Sequence, residues 1–192
     1  MERTLAERLD RIESSLAIQQ LPLRYALAVD SRDIDAWLRL FPKDVNCGRH
    51  GVGREALRTT IAPPLATCYR TVHQICGQEH EFIDADHATG HVYCRAEHEI
   101  GDHWMVMAIC YFDEYVRQEG EWFFSRRKER HWYSVDVAEG PKAPYVAWPT
   151  RGRPPTLPAD FRTWSSFWAE VPPSQVAGIT REPVDSSGAG LR

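Results

Sequence analysis

The period of the hydrophobic pattern changes once along this chain, and that change limits the fold classes open to it. Leu5, Leu9, Ile12 and Leu16 recur at helical spacing, and Leu16, Gln20, Leu23 and Leu27 continue the stripe past Pro22, where a helix is expected to kink or restart. The first thirty residues therefore read as amphipathic helix. Asp33 then stands where an N-cap belongs, and Ile34, Trp37, Leu38 and Phe41 give a short second helix its buried face before Pro42. Gly51-Val52-Gly53 leads into a third helix, Arg54 to Thr60, which Pro63-Pro64 is expected to break. From Tyr69 the pattern becomes that of strands: Tyr69 to Cys76 ending at Gly77, His91 to Ile100 between Gly90 and Gly101, His103 to Val116, and Trp122 to Tyr133 after the turn Gln118-Glu119-Gly120. Helices followed by a meander of long strands predict an α+β domain with its helices on one face of a curved antiparallel sheet.

The expected domain is residues 1–135. Residues 136–192 read as an extension, because nine of the 13 prolines fall at or after Pro141 and Asp185 to Gly190 has the composition of a flexible end. Within the extension, Phe161, Trp164 and Trp168 lie at helical spacing in a short helix expected at about 159–170, and that aromatic stripe needs a surface to cover it.

Composition excludes several kinds of function. A net charge of −4 offers no bulk attraction to nucleic acid or an anionic membrane, and no run of apolar residues is long enough to span one. A soluble, cytoplasmic protein is expected. The five cysteines are odd in number and form no Cys-x-x-Cys, so they read as reduced small hydrophobes. The eight histidines include no His-x-His and no His-Glu-x-x-His, so no metal is expected; no Gly-x-Ser-x-Gly or phosphate-cradling loop is present.

What remains is a carboxylate and two imidazoles. Asp30 closes the first helix. His73 shares a strand face with Tyr69, Thr71 and Ile75. His98 is the one ionisable residue on a face that otherwise reads Val92, Cys94, Ala96 and Ile100, small groups that leave space on the concave side of a sheet. A histidine there either packs in the core or meets a ligand. The run Arg126-Arg127-Lys128-Glu129-Arg130 divides its charges between two strand faces, where they are expected to be solvated or paired with nearby Asp and Glu, with some able to reach the pocket.

The run Ile18 to Asp33, with Trp37-Leu38-Arg39-Leu40-Phe41, Tyr69-Arg70-Thr71-Val72-His73 and the strand-turn-strand Tyr115 to Trp122, resembles the SnoaL-like branch of the nuclear transport factor 2-like superfamily over roughly residues 5–135. The resemblance implies a cone-shaped α+β barrel, a strongly curved antiparallel sheet closed by N-terminal helices around a deep apolar cavity. The chain is similar to scytalone dehydratases, bile acid dehydratases and hexachlorocyclohexane dehydrochlorinases. In those enzymes a helix-end aspartate orients a strand histidine that acts as base; Asp30 and His73 stand at the matching positions, and Cys94-Arg95-Ala96-Glu97-His98 resembles the segment carrying a second histidine in scytalone dehydratase. Val29 replaces the tyrosine that precedes the aspartate there, and the polar residue of the third strand falls near Tyr111.

These residues lead to an expected cofactor-free lyase, a dehydratase or dehydrohalogenase, acting on a cyclic, largely apolar small molecule. Asp30, His73 and His98 are the candidate catalytic residues, and Tyr25, Tyr69, Tyr111 and Trp37 the candidate substrate contacts. The alternatives are a ketone isomerase or polyketide cyclase using the same dyad, or a non-catalytic subunit like the β subunits of ring-hydroxylating dioxygenases. A homo-oligomer is expected, a trimer in preference to a dimer.

Overall fold

The computed structural model describes residues 4–137 and 162–172. Phe161 and the glycine-rich end at 185–190, both the subject of expectations above, lie outside these residues.

Helix α1 spans Leu5–Asp30. Thr4 and Glu7 form a capping box that satisfies the first free N–H groups. Pro22 does not restart the helix: α1 is continuous through it, with Pro22 buried. The leucine stripe that makes α1 amphipathic is also not the face that packs. Ile18, Leu21, Ala26, Ala28 and Val29 are buried, whereas Leu5, Leu9, Ile12 and Leu16 face outward.

Helix α2, Ile34–Leu38, begins at the Asp33 cap, whose carboxylate accepts from the Ala36 N–H at 2.8 Å. Helix α3, Arg54–Ala66, continues through Pro63 and Pro64 where a break was expected. Both prolines are exposed, so the carbonyls their missing N–H groups leave unbonded can be hydrated.

Four strands, β1 (Arg70–Phe82), β2 (His87–Ile100), β3 (His103–Gln118) and β4 (Glu121–Asp136), form one antiparallel sheet in the order β1-β2-β3-β4. Register shifts at Ile75/Gly77, Ala108/Ile109 and Glu114/Tyr115 insert extra residues that bend the strands. The first strand is longer than expected because Gly77 belongs to a bulge and does not end it. Gly90, likewise expected as a boundary, lies inside β2 opposite His80. A Cβ at Gly90 would stand 2.4 Å from the Glu79 carbonyl oxygen and 3.2 Å from the Tyr115 ring, so glycine permits a close crossing.

The main core joins Ile18, Leu21 and Val29 of α1 to Trp37, Phe41, Tyr115, Trp122 and Phe124. A second cluster, Val92, Cys94, Ala96, Ile109 and Tyr111, lines the inner side of the central strands. All five cysteines are free. Among the described residues no helix is long and apolar enough to cross a membrane. A last helix, α4, spans Arg162–Glu170, and Trp164 is buried against the rest of the domain.

Gly90→Ala is expected to destabilise the domain by roughly 1–3 kcal/mol, because the clash is with backbone that cannot give way. Urea denaturation checks this; an unchanged midpoint would show that the crossing tolerates a methyl group.

Candidate functional site

The C-terminus of α1 is closed by an unusual residue. Arg32 N–H donates to the Val29 carbonyl (3.1 Å) and Asp33 N–H to the Ala28 carbonyl (2.9 Å), a Schellman arrangement that places Arg32 in the left-handed position, φ 61°. Glycine usually fills that position, and a side chain there costs about 1–2 kcal/mol. Arg32 repays the strain with its side chain. Its guanidinium, 2% exposed as a residue, donates through Nη1 to the Val29 carbonyl (2.8 Å) and to Thr71 Oγ1 (2.7 Å), and through Nη2 to the Cys68 carbonyl (2.8 Å). Burial lowers Arg32 to about 10, so it remains a cation at neutral pH.

This turn aims Asp30 at β1. The Thr71 hydroxyl donates to Asp30 Oδ1 (2.8 Å), the His73 backbone N–H donates to Oδ2 (2.7 Å), and His73 Nδ1 lies 2.7 Å from Oδ1. The proton positions follow from the donors. An arginine can only donate, so Thr71 Oγ1 accepts from Arg32 and its own proton turns to Asp30. Asp30 therefore acts as acceptor throughout, and His73 carries its proton on Nδ1, leaving Nε2 as the free lone pair on the far side of the ring. The dyad is nearly enclosed: the His73 side chain is 7% exposed and that of Asp30 18%.

His98 stands beside it, ring centroids 5.5 Å apart. Burial, then the neighbouring His73 ring and the Arg32 guanidinium, lower His98 to about 4, so its imidazole is neutral in the fold at pH 7. Its Nε2 is buried without a hydrogen-bond partner. Tyr25 and Tyr111 complete the group, with the Tyr25 ring 6.4 Å from His73 and 5.9 Å from Tyr111. Burial raises both phenols above their ordinary value. Cys94, raised by burial to about 12, is a protonated apolar wall and not a nucleophile.

Trp37 sits one layer back, packed between Tyr25 and Phe41 in the main core. Tyr69 is not with the group. Its ring lies under α4, 5.9 Å from Trp164 and 5.5 Å from Trp168.

The basic run of β4 contributes one residue to the interior. Arg127 points inward and its side chain is only 5% exposed, while Arg126, Lys128 and Arg130 are exposed. The guanidinium carbon stands 3.8 Å from the centre of the Tyr111 ring and 4.3 Å from that of Tyr25. All three of its nitrogens are buried without a hydrogen bond. Asp113 is nearby, Nε to Oδ1 3.3 Å, but outside hydrogen-bonding geometry; burial raises Asp113 to about 6 against the lowering effect of Arg127.

The chemistry available is thus a histidine with a fixed tautomer and a free Nε2, a neutral histidine, and a cation that is ion-paired with Asp113 but makes no hydrogen bond, set in aromatic and small apolar walls. A groove of about 720 Å³ on the outer face of the sheet, lined by His91, Tyr93, Phe112, Arg130 and Trp132 among others, includes none of these residues. No sequence motif marks Arg32, Thr71, Arg127 or Asp113. Strand parity was the available signal for Thr71, which shares a face with His73, and for Arg127.

The SnoaL-like domain family matches residues 10–128. The chain belongs to that family. It lies in the SnoaL branch of the nuclear transport factor 2-like superfamily. It is similar to the hexachlorocyclohexane dehydrochlorinase LinA, at 27% identity and TM-score 0.64 over 71% of this chain and 98% of that one. LinA type 3 from Novosphingobium barchaimii is 25% identical, TM-score 0.58, over 68% of this chain and 94% of that one. A protein from Novosphingobium aromaticivorans, provisionally described as a scytalone dehydratase, shares the fold at 22% identity and TM-score 0.58, covering 66% of this chain and 89% of its own. No curated protein sequence matches the chain.

Thr71→Val leaves Arg32 Nη1 and Asp30 Oδ1 each one partner short in a buried place, and is expected to cost about 1–3 kcal/mol while shifting the His73 Nδ1 proton resonance. Denaturant titration and histidine NMR check the two effects; an unmoved resonance would show that Thr71 does not order the dyad.

Acidification tests His98. Its ordinary value is 6.5 and its folded value about 4. As pH falls through that window the unfolded chain takes up the proton first, so the stability associated with neutral His98 is lost. Asp113 acts in the opposite sense over part of the same range, since its folded value of about 6 lies above the ordinary 3.8. The informative quantity is the difference between parent and His98→Gln: the variant is expected to lose less stability between pH 7 and 4 by urea denaturation.

Proposed function

We propose that the chain is a cofactor-free lyase that eliminates water or a halide from a cyclic, largely apolar small molecule. The observation that carries this reading is the Asp30–His73 contact with Thr71 and the His73 N–H behind it. It leaves a basic nitrogen with fixed direction inside an aromatic enclosure. The dehydrochlorinase relatives support the same class of reaction.

In this reading His73 Nε2 takes a proton from a carbon of the substrate, and the electrons of that C–H bond form the new double bond. The leaving group departs from the adjacent carbon with its own bonding pair. Asp30 stabilises the imidazolium that forms, through the Nδ1–H it already holds. Arg127 is placed to receive developing negative charge. Its nitrogens have no competing hydrogen bond, and burial strengthens any interaction they make. A halide leaves directly; a hydroxyl leaves as water with the proton that His73 has removed from carbon, while His98 or Tyr111 donates a hydrogen bond to it. Tyr25 and Tyr111 supply flat apolar surface for a ring, and the small side chains of Cys94 and Ala96 cluster with Tyr111.

Association through the outer face of the sheet, as a trimer, is part of the proposal. Tyr93, Phe112, Trp132 and Tyr133 are exposed there by 45–68%.

His73→Ala is expected to lower kcat by roughly 10²–10⁴-fold, and Asp30→Asn to lower it within the same range, on a cyclic alcohol or halide that the parent converts. Turnover that survived both changes would rule out the dyad. Mass spectrometry of the product separates elimination, which lowers the mass by water or hydrogen halide, from isomerisation, which leaves it unchanged.

A further inference from the structure

Helix α1 carries two apolar faces, and among the described residues only one is covered. On the unused face Leu5, Leu9, Ile12, Leu16, Leu23 and Leu27 are 49–77% exposed. At about 100° per residue they fall within a stripe roughly 60° wide, and at 1.5 Å per residue the stripe runs roughly 33 Å. Isolated exposed leucines are ordinary, whereas six in one line form a surface that water leaves unsatisfied.

The spacing identifies what fits the stripe. Leu9, Leu16 and Leu23 recur every seven residues, and Leu5, Ile12 and Gln19 recur every seven residues between them. These are the a and d seams of a heptad. We propose that α1 pairs with α1 of a second copy of this chain, parallel and in register, as a two-stranded coiled coil.

Charge selects this occupant and this orientation. In that heptad Arg8 takes the g position and Glu13 the e position of the next repeat, and both are exposed. A parallel pair sets Arg8 against the partner subunit's Glu13, and Glu13 against the partner subunit's Arg8, whereas an antiparallel pair separates them. Gln19 fixes the register. It is the polar residue in the middle of the seam, and an in-register parallel pair sets it against its own counterpart, whereas a slip of one heptad sets it against Ile12 or Ala26. A lipid surface fits less well, because Arg8 and Glu13 flank the stripe with opposite charges and no basic cluster borders it. The stripe lies on the side of α1 away from the sheet, so pairing leaves the Asp30–His73 site and the outer sheet face uncovered. This surface is independent of the proposed reaction.

The test is the molar mass of the full chain by light scattering across a dilution series. The parent is expected to be a dimer or an even multiple. Leu9→Glu with Leu16→Glu is expected to halve the mass with the far-ultraviolet circular dichroism unchanged, since both side chains are exposed. A parent of odd-numbered or monomeric mass, or a mass that survives the double change, overturns the proposal and leaves the stripe to the chain's own extension or another partner. Charge exchange then tests orientation. Arg8→Glu alone and Glu13→Arg alone are each expected to weaken pairing roughly tenfold at low salt, and an equimolar mixture of the two to restore it, because each mixed pair again sets arginine against glutamate. A mixture no tighter than its components overturns the parallel arrangement.

Discussion

The structure depends on one carboxylate placed where a helix disfavours it. Asp30 is the last residue of α1, at the end that carries the partial negative charge of the helix, and an anion there is destabilised by about 0.3–1 kcal/mol. Three donors and a buried arginine reverse that balance: the Thr71 hydroxyl and two groups of His73 bind the carboxylate, and Arg32 stands behind Thr71. The same contacts fasten α1 to β1. They fix where the helix ends relative to the sheet, so the bond that orients the histidine also joins the two layers of the domain.

The interior keeps polar groups that a core built for stability alone would not. Buried donors and acceptors are nearly always paired, and each unpaired one costs about 1–3 kcal/mol. Here His98 Nε2 and the three nitrogens of Arg127 are buried without hydrogen bonds, and they gather around the dyad and the rings of Tyr25 and Tyr111. The cation is held by aromatic faces, which attract it without occupying its N–H groups. Such an arrangement costs stability and leaves directional donors without a hydrogen bond.

Strand parity accounts for much of what could be read in advance. Alternation put His73 and His98 on the inner face together with Thr71, Cys94 and Ala96, and the cap at Asp33 marked the turn that brings Asp30 back to the sheet. Where expectation and structure part, the cause is a residue acting through its surroundings. Gly77 and Gly90 punctuate strands in most sequences, yet here one lies in a bulge and the other admits a close crossing beside Tyr115. Pro22, Pro63 and Pro64 break helices when the lost hydrogen bond has no replacement; here both helices continue through them. Tyr69 shares its strand parity with His73, but α4 arrives from nearly a hundred residues away and covers it.

The sequence by itself determined the class of fold and which side chains share a strand face, because these follow from short-range periodicity; the pairing of Asp30 with His73 came from the family resemblance. Tertiary structure decided which face of α1 packs and which arginine of Arg126 to Arg130 is enclosed. It also decided that Arg32, in a backbone conformation normally left to glycine, completes the site. Those outcomes depend on sheet curvature and on contacts between residues up to about a hundred positions apart, such as Tyr25 with Arg127. A local pattern carries no record of them.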